Sequence, residues 1–204
     1  MGMFLFVVGV ANIYESLYQT GYHKDLTLSH AREVIKRIKN AKSVLDVGCS
    51  HGYAVAALWK QGVQANGIDI APSAIALATR ARGQGLCGED PCFQTGNATN
   101  LPFDNKHFDT LISTDVFEHL APHDVDAAIR ETLRVTRKDM WLKIATIKEL
   151  NRQPLANLHR MDKYKAVANL HTAVMNLTAW AHCFRQSGAK DVHIVGNLVH
   201  VIVQ

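Results

Sequence analysis

The sequence predicts an α/β protein: a doubly wound, mostly parallel sheet with an antiparallel element at its C-terminal edge. Three observations carry this. Short apolar runs alternate with helical segments from Ser43 onward. The first run, Ser43 to Val47, leads directly into a glycine turn and a helix start, SVLDVGCSHG followed by AVAAL. The last two runs, Asp191–Val195 and Leu198–Val203, are joined around Gly196-Asn197, which reads as a hairpin and not as a crossover.

The elements follow in order. Ala11 to Gln19 reads as a short helix, broken by Thr20-Gly21-Tyr22-His23-Lys24. Ser29 is placed to cap a second helix, His30 to Lys39, with Ala31, Val34, Ile35 and Ile38 on one face. Both precede the first strand and so are expected to cover one end of the sheet. Val44–Val47 is strand one, Tyr53–Gln61 its helix, and Val63–Ile70 strand two. Pro72 and Ser73 open a helix over Ala74–Arg82. A glycine-containing loop, 83–91, leads to a short third strand at Cys92–Thr95, and Phe108–Ser113 is the fourth. Asp124–Thr136 is strongly amphipathic, with Val125, Ala128, Ile129 and Leu133 at helical spacing. Met140–Ala145 is strand five, and Leu177–Ser187 is a helix stopped by Gly188. Residues 146–176 are irregular and polar, at the edge where strand carboxyl ends point and where open α/β sheets hold ligands.

Composition narrows the class. The 204 residues suit one domain: a helical cover (1–42), a core (43–145), an insertion (146–176) and a closing helix and hairpin (177–204). Hydrophobic content of 48% and charge of 20% are ordinary for a globular chain. The net charge of +4 has no clustered stripe behind it, which favours a small-molecule partner and leaves nucleic acid or protein as secondary acceptors. The four cysteines form no CxxC pair and no zinc spacing, so free thiols and a reducing, cytoplasmic setting are expected; Cys87 and Cys92 are the one pair close enough to bridge a loop. Met1–Val10 is apolar but too short to span a bilayer, and no integral span is expected.

The glycine turn sets the chemistry. Gly48 lets the backbone turn sharply beside a ligand, and Gly52 lets the helix start approach it. Asp46, just before the turn, can accept from a ligand ammonium. Asp69 ends strand two, seventeen residues past Gly52, where a carboxylate can take both hydroxyls of a ribose. Ile70 can cover an adenine face, Asn97 and Ala98 can meet its edge, and Thr114-Asp115 can close the pocket. The same acid suits the ribose of NAD, so a nicotinamide oxidoreductase is the rival reading. The turn, however, is DxGxxxG and lacks the GxGxxG spacing of a pyrophosphate loop.

VLDVGCSHG, GIDIAPSAIALA and GNATNLPFDNKHFDTLISTDVFEHL, in this order and spacing, together with the closing strand pair, resemble class I S-adenosylmethionine-dependent methyltransferases of the small-molecule type 11 group. The likeness covers residues 43–145, and the C-terminal strands by architecture. It implies a Rossmann-like seven-stranded sheet of order 3-2-1-4-5-7-6 and S-adenosylmethionine as cofactor. It implies that Asp46, Gly48, Cys49, Ser50 and Gly52 border the methionine portion. Asp69 and Ile70 then take the ribose and adenine face, Asn97 and Ala98 the adenine edge, and Thr114 and Asp115 complete the site. The family's turn usually has glycine where Ser50 stands and an acid where Asn97 stands. Arg137-Lys138-Asp139 replaces its Pro-Gly-Gly turn before strand five. A non-catalytic cofactor-binding module is the second alternative. His119 and His23 are the candidate bases for a hydroxyl acceptor, and Tyr18, Tyr22, His119 and His159 are candidate acceptor contacts. Asp115 and Glu118 have no well-spaced third ligand in the sequence, so no metal is expected.

Overall fold

Burial on both faces decides which runs become the central strands. In a computed structural model, which describes residues 9–204 apart from 21–25, 84–85, 88–90, 148–155, 157 and 166, seven strands form one sheet. The strands are β1 (Ser43–Val47), β2 (Gln64–Asp69), β3 (Phe93–Thr95), β4 (Phe108–Thr114), β5 (Thr136–Lys143), β6 (Asp191–Val195) and β7 (Leu198–Ile202). Their order is β3-β2-β1-β4-β5-β7-β6. The first five pair in parallel, β7 runs antiparallel to β5, and β6 antiparallel to β7. The sheet is the doubly wound one expected from the sequence.

Among the described residues six α-helices cover it: α1 (Val10–Gln19), α2 (Leu26–Ile35), α3 (Tyr53–Trp59), α4 (Pro72–Ala78), α5 (Val125–Val135) and α6 (Leu177–Gln186). One apolar layer joins Leu45, Leu111 and Met140 to Ile129 of α5 and to Trp180 and Phe184 of α6. The other joins Val44, Ile112 and Trp141 to Val34 of α2, Val55 and Leu58 of α3, and Ile75 of α4. Asn176 caps α6 by accepting the Ala179 N–H at 2.8 Å. None of the helices among the described residues is long and apolar enough to cross a membrane.

Three local expectations are corrected. The second helix spans Leu26–Ile35, so Ser29 lies inside it and not at its N-terminus. It ends early because Arg37 and Ile38 close turns onto Val34 and Ile35, and Asn40 takes a left-handed φ of 56°. No turn separates α5 from β5, since the strand begins at Thr136. There β4 and β5 slip register between Phe108 and Thr110. The extra residue on β5 is absorbed as a bulge, with Arg137 and Lys138 both reaching the Asp109 carboxylate at 3.3 Å. Finally, Cys87 and Cys92 are disulfide-bonded, their Cα atoms 5.6 Å apart, while Cys49 and Cys183 are free. That bond removes the cysteine-based argument for a reducing compartment.

The 146–176 segment is tied to the cover. Buried Tyr164 donates to the Asn12 carbonyl at 2.8 Å and shares a 2.7 Å hydrogen bond with Ser16. With Leu158, Val167 and Leu170 it packs on Ile13 and Leu17 of α1. The cover and the segment therefore close the carboxyl edge of the sheet together.

Candidate active site

β1 ends in the glycine turn at the middle of that edge. Gly48 and Gly52 take φ of 79° and 74°, which L-residues adopt only at a cost. A Cβ on Gly48 would lie 2.1 Å from Val116, and one on Gly52 would lie 2.4 Å from Phe93. Both glycines are thus required by close packing as well as by backbone conformation. Ser50 also has a positive φ, 48°. It is held there by its N–H, which donates to Asp69 at 2.9 Å, and by its hydroxyl, which accepts from Tyr18 of α1 at 2.8 Å. A glycine is not needed at Ser50, because these partners hold the conformation instead.

A cavity of about 260 Å3 opens at this edge. It is lined by Gly48, Ser50, Asp69, Ile70, Asn97, Ala98, Thr114 and Asp115 from the strand ends. Val10, Tyr14, Tyr18, His30, His119 and His171 line it too. Eight of the predicted cofactor residues meet around one space: Gly48, Ser50, Asp69, Ile70, Asn97, Ala98, Thr114 and Asp115. Asp46, Cys49 and Gly52 lie behind its wall. Cys49 packs on Gly67 of β2, where a Cβ would sit 2.8 Å away, and Gly52 packs on Phe93. Of the predicted acceptor contacts, Tyr18 and His119 line the cavity. His159 does not, and its Nε2 faces the Val167 carbonyl at 2.9 Å. Tyr22 and His23 lie outside the described residues.

The electrostatics are those of a buried acidic turn. Burial, and secondly the Asp69 carboxylate, push Asp46 from 3.8 up to about 7. Burial also raises Asp69, against the N–H groups of Ala71, Ser50 and Ile70 that lower it. Burial raises the Cys49 thiol well above its ordinary value, so it is no nucleophile at neutral pH. Each Asp69 oxygen holds one backbone N–H, from Ala71 at 3.0 Å and from Ser50 at 2.9 Å. A carboxylate has about four acceptor sites, so a vicinal diol can still be taken. Asn97 is more constrained. Its Oδ1 accepts the Thr99 N–H at 3.0 Å, which leaves one lone pair for an adenine amino group.

The turn after β4 supplies the far wall. Glu118 is fully buried and accepts the Ala145 N–H at 3.2 Å. His119 Nδ1 lies 3.0 Å from the Leu170 carbonyl, and its ring meets Tyr14 and His171 edge-on at 5.3 and 4.7 Å. Glu118, His119 and His171 each bring one ligand atom within 4.8 Å of the others. Asp115, which the sequence reading paired with Glu118, is not part of this cluster, and His171 comes to it from the 146–176 segment. His30 and His171 are lining residues outside the predicted set of site residues. Neither stands in a local motif, and only the folding of cover and segment onto the edge brings them in.

The strand order, the one strand (β7) antiparallel to its neighbours and the acid ending β2 are those of the Rossmann-like class I methyltransferase fold. Residues 45–144 match the family described as "Methyltransferase domain", and this segment of the chain belongs to it. The chain is 31% identical over 134 residues to norajmaline N-methyltransferase of Rauvolfia serpentina, a match covering 65% of this chain and 45% of that protein. The chain spans about half the length of the curated relatives it matches. Among solved structures, the magnesium protoporphyrin IX methyltransferase of Synechocystis PCC 6803 with bound SAH is similar at TM-score 0.64 and 16% identity, covering 94% of this chain and 93% of that one. A chain of the Haloferax volcanii complex containing the Trm112 methyltransferase activator is similar at TM-score 0.69 and 16% identity, covering 91% and 93%. These two likenesses concern the fold alone.

Proposed function

We propose that the protein transfers the methyl group of S-adenosylmethionine to a nucleophilic atom of a small-molecule acceptor. The observation that carries this reading is that Asp69 and the Gly48–Ser50 turn open onto one cavity that Tyr14, Tyr18, His119 and His171 also line. In this reading Asp69 holds the ribose hydroxyls, Ile70 covers an adenine face, and Ala98 and the remaining Asn97 lone pair meet its edge. Gly48 and Ser50 present backbone to the methionine portion. Asp46, behind the turn, acts on the ammonium through the field at the turn. When bound, the cofactor supplies an electrophilic methyl on a sulfonium whose leaving group departs neutral.

Positioning is then the protein's main task, and holding the acceptor at attack distance can supply most of the rate. α1 serves that end. Its Glu15 carboxylate accepts from the Ser73 N–H at 2.9 Å and from the Ser73 hydroxyl at 2.5 Å, and its Tyr18 is bonded to Ser50. The helix is thereby tied to both sides of the cofactor lobe. An enclosed lobe behind a helix suits a small acceptor better than a polymer. Calorimetric titration with S-adenosylhomocysteine, with NAD as control, tests the reading. Micromolar binding of the first and none of the second is expected, and NAD binding alone would overturn it.

A further inference from the structure

The cover brings His30 of α2 to the cavity, with Nδ1 2.5 Å from Oδ2 of Asp115 and both side chains about 30% exposed. We propose that His30, oriented by Asp115, is the general base that deprotonates a phenolic acceptor. This rests on the methyl-transfer reading above.

Asp115 is a fixed point beside the glycine turn. Its backbone N–H donates to the Lys143 carbonyl at 2.9 Å, and its φ is 55°. The next residue, Val116, packs against Gly48. A carboxylate at Nδ1 takes that nitrogen's proton as a hydrogen bond, which leaves the Nε2 lone pair of the neutral ring for a substrate. It also stabilises the imidazolium that forms when Nε2 is protonated, the part an aspartate plays beside a catalytic histidine. The His119 Nδ1 faces the Leu170 backbone carbonyl at 3.0 Å. Among the described residues, Glu33, one turn along α2, also acts on the His30 ring, and it is itself paired with Lys143 of β5 at 2.9 Å.

The acceptor class follows from the walls. Tyr14, Tyr18, His119 and His171 surround the lobe with ring faces and edges, a lining that fits a planar aromatic ring. A neutral amine carries its own lone pair and needs no base, whereas a phenol, with a pKa of about 10, must lose its proton to become a strong nucleophile. The phenol oxygen forms the new O–C bond as the methyl C–S bond breaks, and that electron pair stays on sulfur. The phenol proton passes to His30 Nε2. The positive charge lost from the sulfonium reappears as imidazolium beside Asp115.

The test uses the full chain with S-adenosylmethionine and phenol, catechol and 4-hydroxybenzoate, alongside aniline and 4-aminobenzoate. His30→Gln keeps an amide N–H for Asp115 but has no basic nitrogen. The variant is expected to keep the parent's thermal midpoint and its S-adenosylhomocysteine affinity within about threefold. Its kcat on the phenols should fall by about 10²–10⁴-fold, and kcat/KM should lose its dependence on a group that must be deprotonated. A His30→Gln protein with the parent's kcat and pH profile reduces the pair to a latch on α2 and overturns the proposal. So does methylation confined to the amines, or a parent that binds S-adenosylhomocysteine yet methylates none of the phenols. Failure of the parent to bind S-adenosylhomocysteine sinks the methyl-transfer reading, and this proposal with it.

Discussion

Asp69 Oδ2 accepts the Ser50 backbone N–H at 2.9 Å, so the acid that ends β2 also holds the turn that ends β1. One carboxylate thus shapes the turn and lines the cavity beside it. Replacing Asp69 by Asn turns an acceptor toward a donor at one of the two N–H groups. The expected result is a loss of about 1–3 kcal/mol of stability, read by chemical denaturation. Loss of two charge-assisted bonds to a ribose should weaken S-adenosylhomocysteine binding at least ~100-fold, read by calorimetry. Unchanged affinity in a folded variant would remove Asp69 from the site.

The two turn glycines fail differently when substituted. Gly52→Ala drives a Cβ toward the Phe93 ring at a φ of 74°. Strain of about 1–2 kcal/mol from the left-handed backbone adds to about 1–3 kcal/mol of overpacking, all of it away from the cavity. Gly48→Ala meets the Val116 side chain instead, and Val116 lines the cavity. That variant should lose both stability and cofactor affinity. Val116→Ala in the same chain should restore part of each, because it removes the opposing methyl. A double-mutant cycle in urea checks this, and strict additivity would refute the packing account.

The sequence made the sheet legible because its strands are buried on both faces and its turns carry glycine. That these residues would gather at one cavity was legible for the same reason, since Gly48, Asp69, Asn97 and Asp115 each end or follow a strand at the carboxyl edge. What stayed hidden depends on contacts between distant parts of the chain. Ser16 meets Tyr164 across 148 residues, and His30 meets Asp115 across 85. His171 reaches His119 only because residues 170–173 fold back on the 117–120 turn. The missing turn before β5 was misread because Arg137-Lys138-Asp139 is too polar to read as strand. Asp109 supplies the countercharge that lets it be one.

The Cys87–Cys92 bond closes a loop of only a few residues, with a sequence separation of 5. For so short a loop the chain-entropy gain is about 2 kcal/mol. Neither cysteine lines the cavity. Reduction with dithiothreitol should therefore lower the thermal midpoint by a few degrees and leave S-adenosylhomocysteine affinity unchanged. Cys87→Ser is the gentler variant, because Cys92 is buried. A large loss of binding in that variant would mean that the loop before β3 shapes the adenine side of the site.

Asp46 makes stability and cofactor binding depend on pH in linked ways. Burial first, and the Asp69 carboxylate second, raise it from 3.8 to about 7 in the folded chain. Between those values the folded protein holds a proton that the unfolded chain has released. Its contribution to stability is therefore complete below about 3.8 and is lost as pH rises toward 7. Asp69, raised by burial, acts in the same direction. The ceiling on the loss from Asp46 is roughly 4 kcal/mol, at about 1.4 kcal/mol per pH unit. Asp46→Asn carries no such charge, so its stability advantage over the parent should grow from pH 5 to pH 8 in denaturant titrations. A ligand ammonium near the turn favours ionised Asp46, so binding should expel a proton in the same window. The parent's S-adenosylhomocysteine affinity should then fall as pH drops below about 7, with a heat that varies with the buffer's ionisation enthalpy. The Asn variant should bind more weakly and lack that pH dependence. A parent whose affinity is flat between pH 5 and 8 would show that Asp46 stays protonated in the complex and shapes the turn without acting on the ligand.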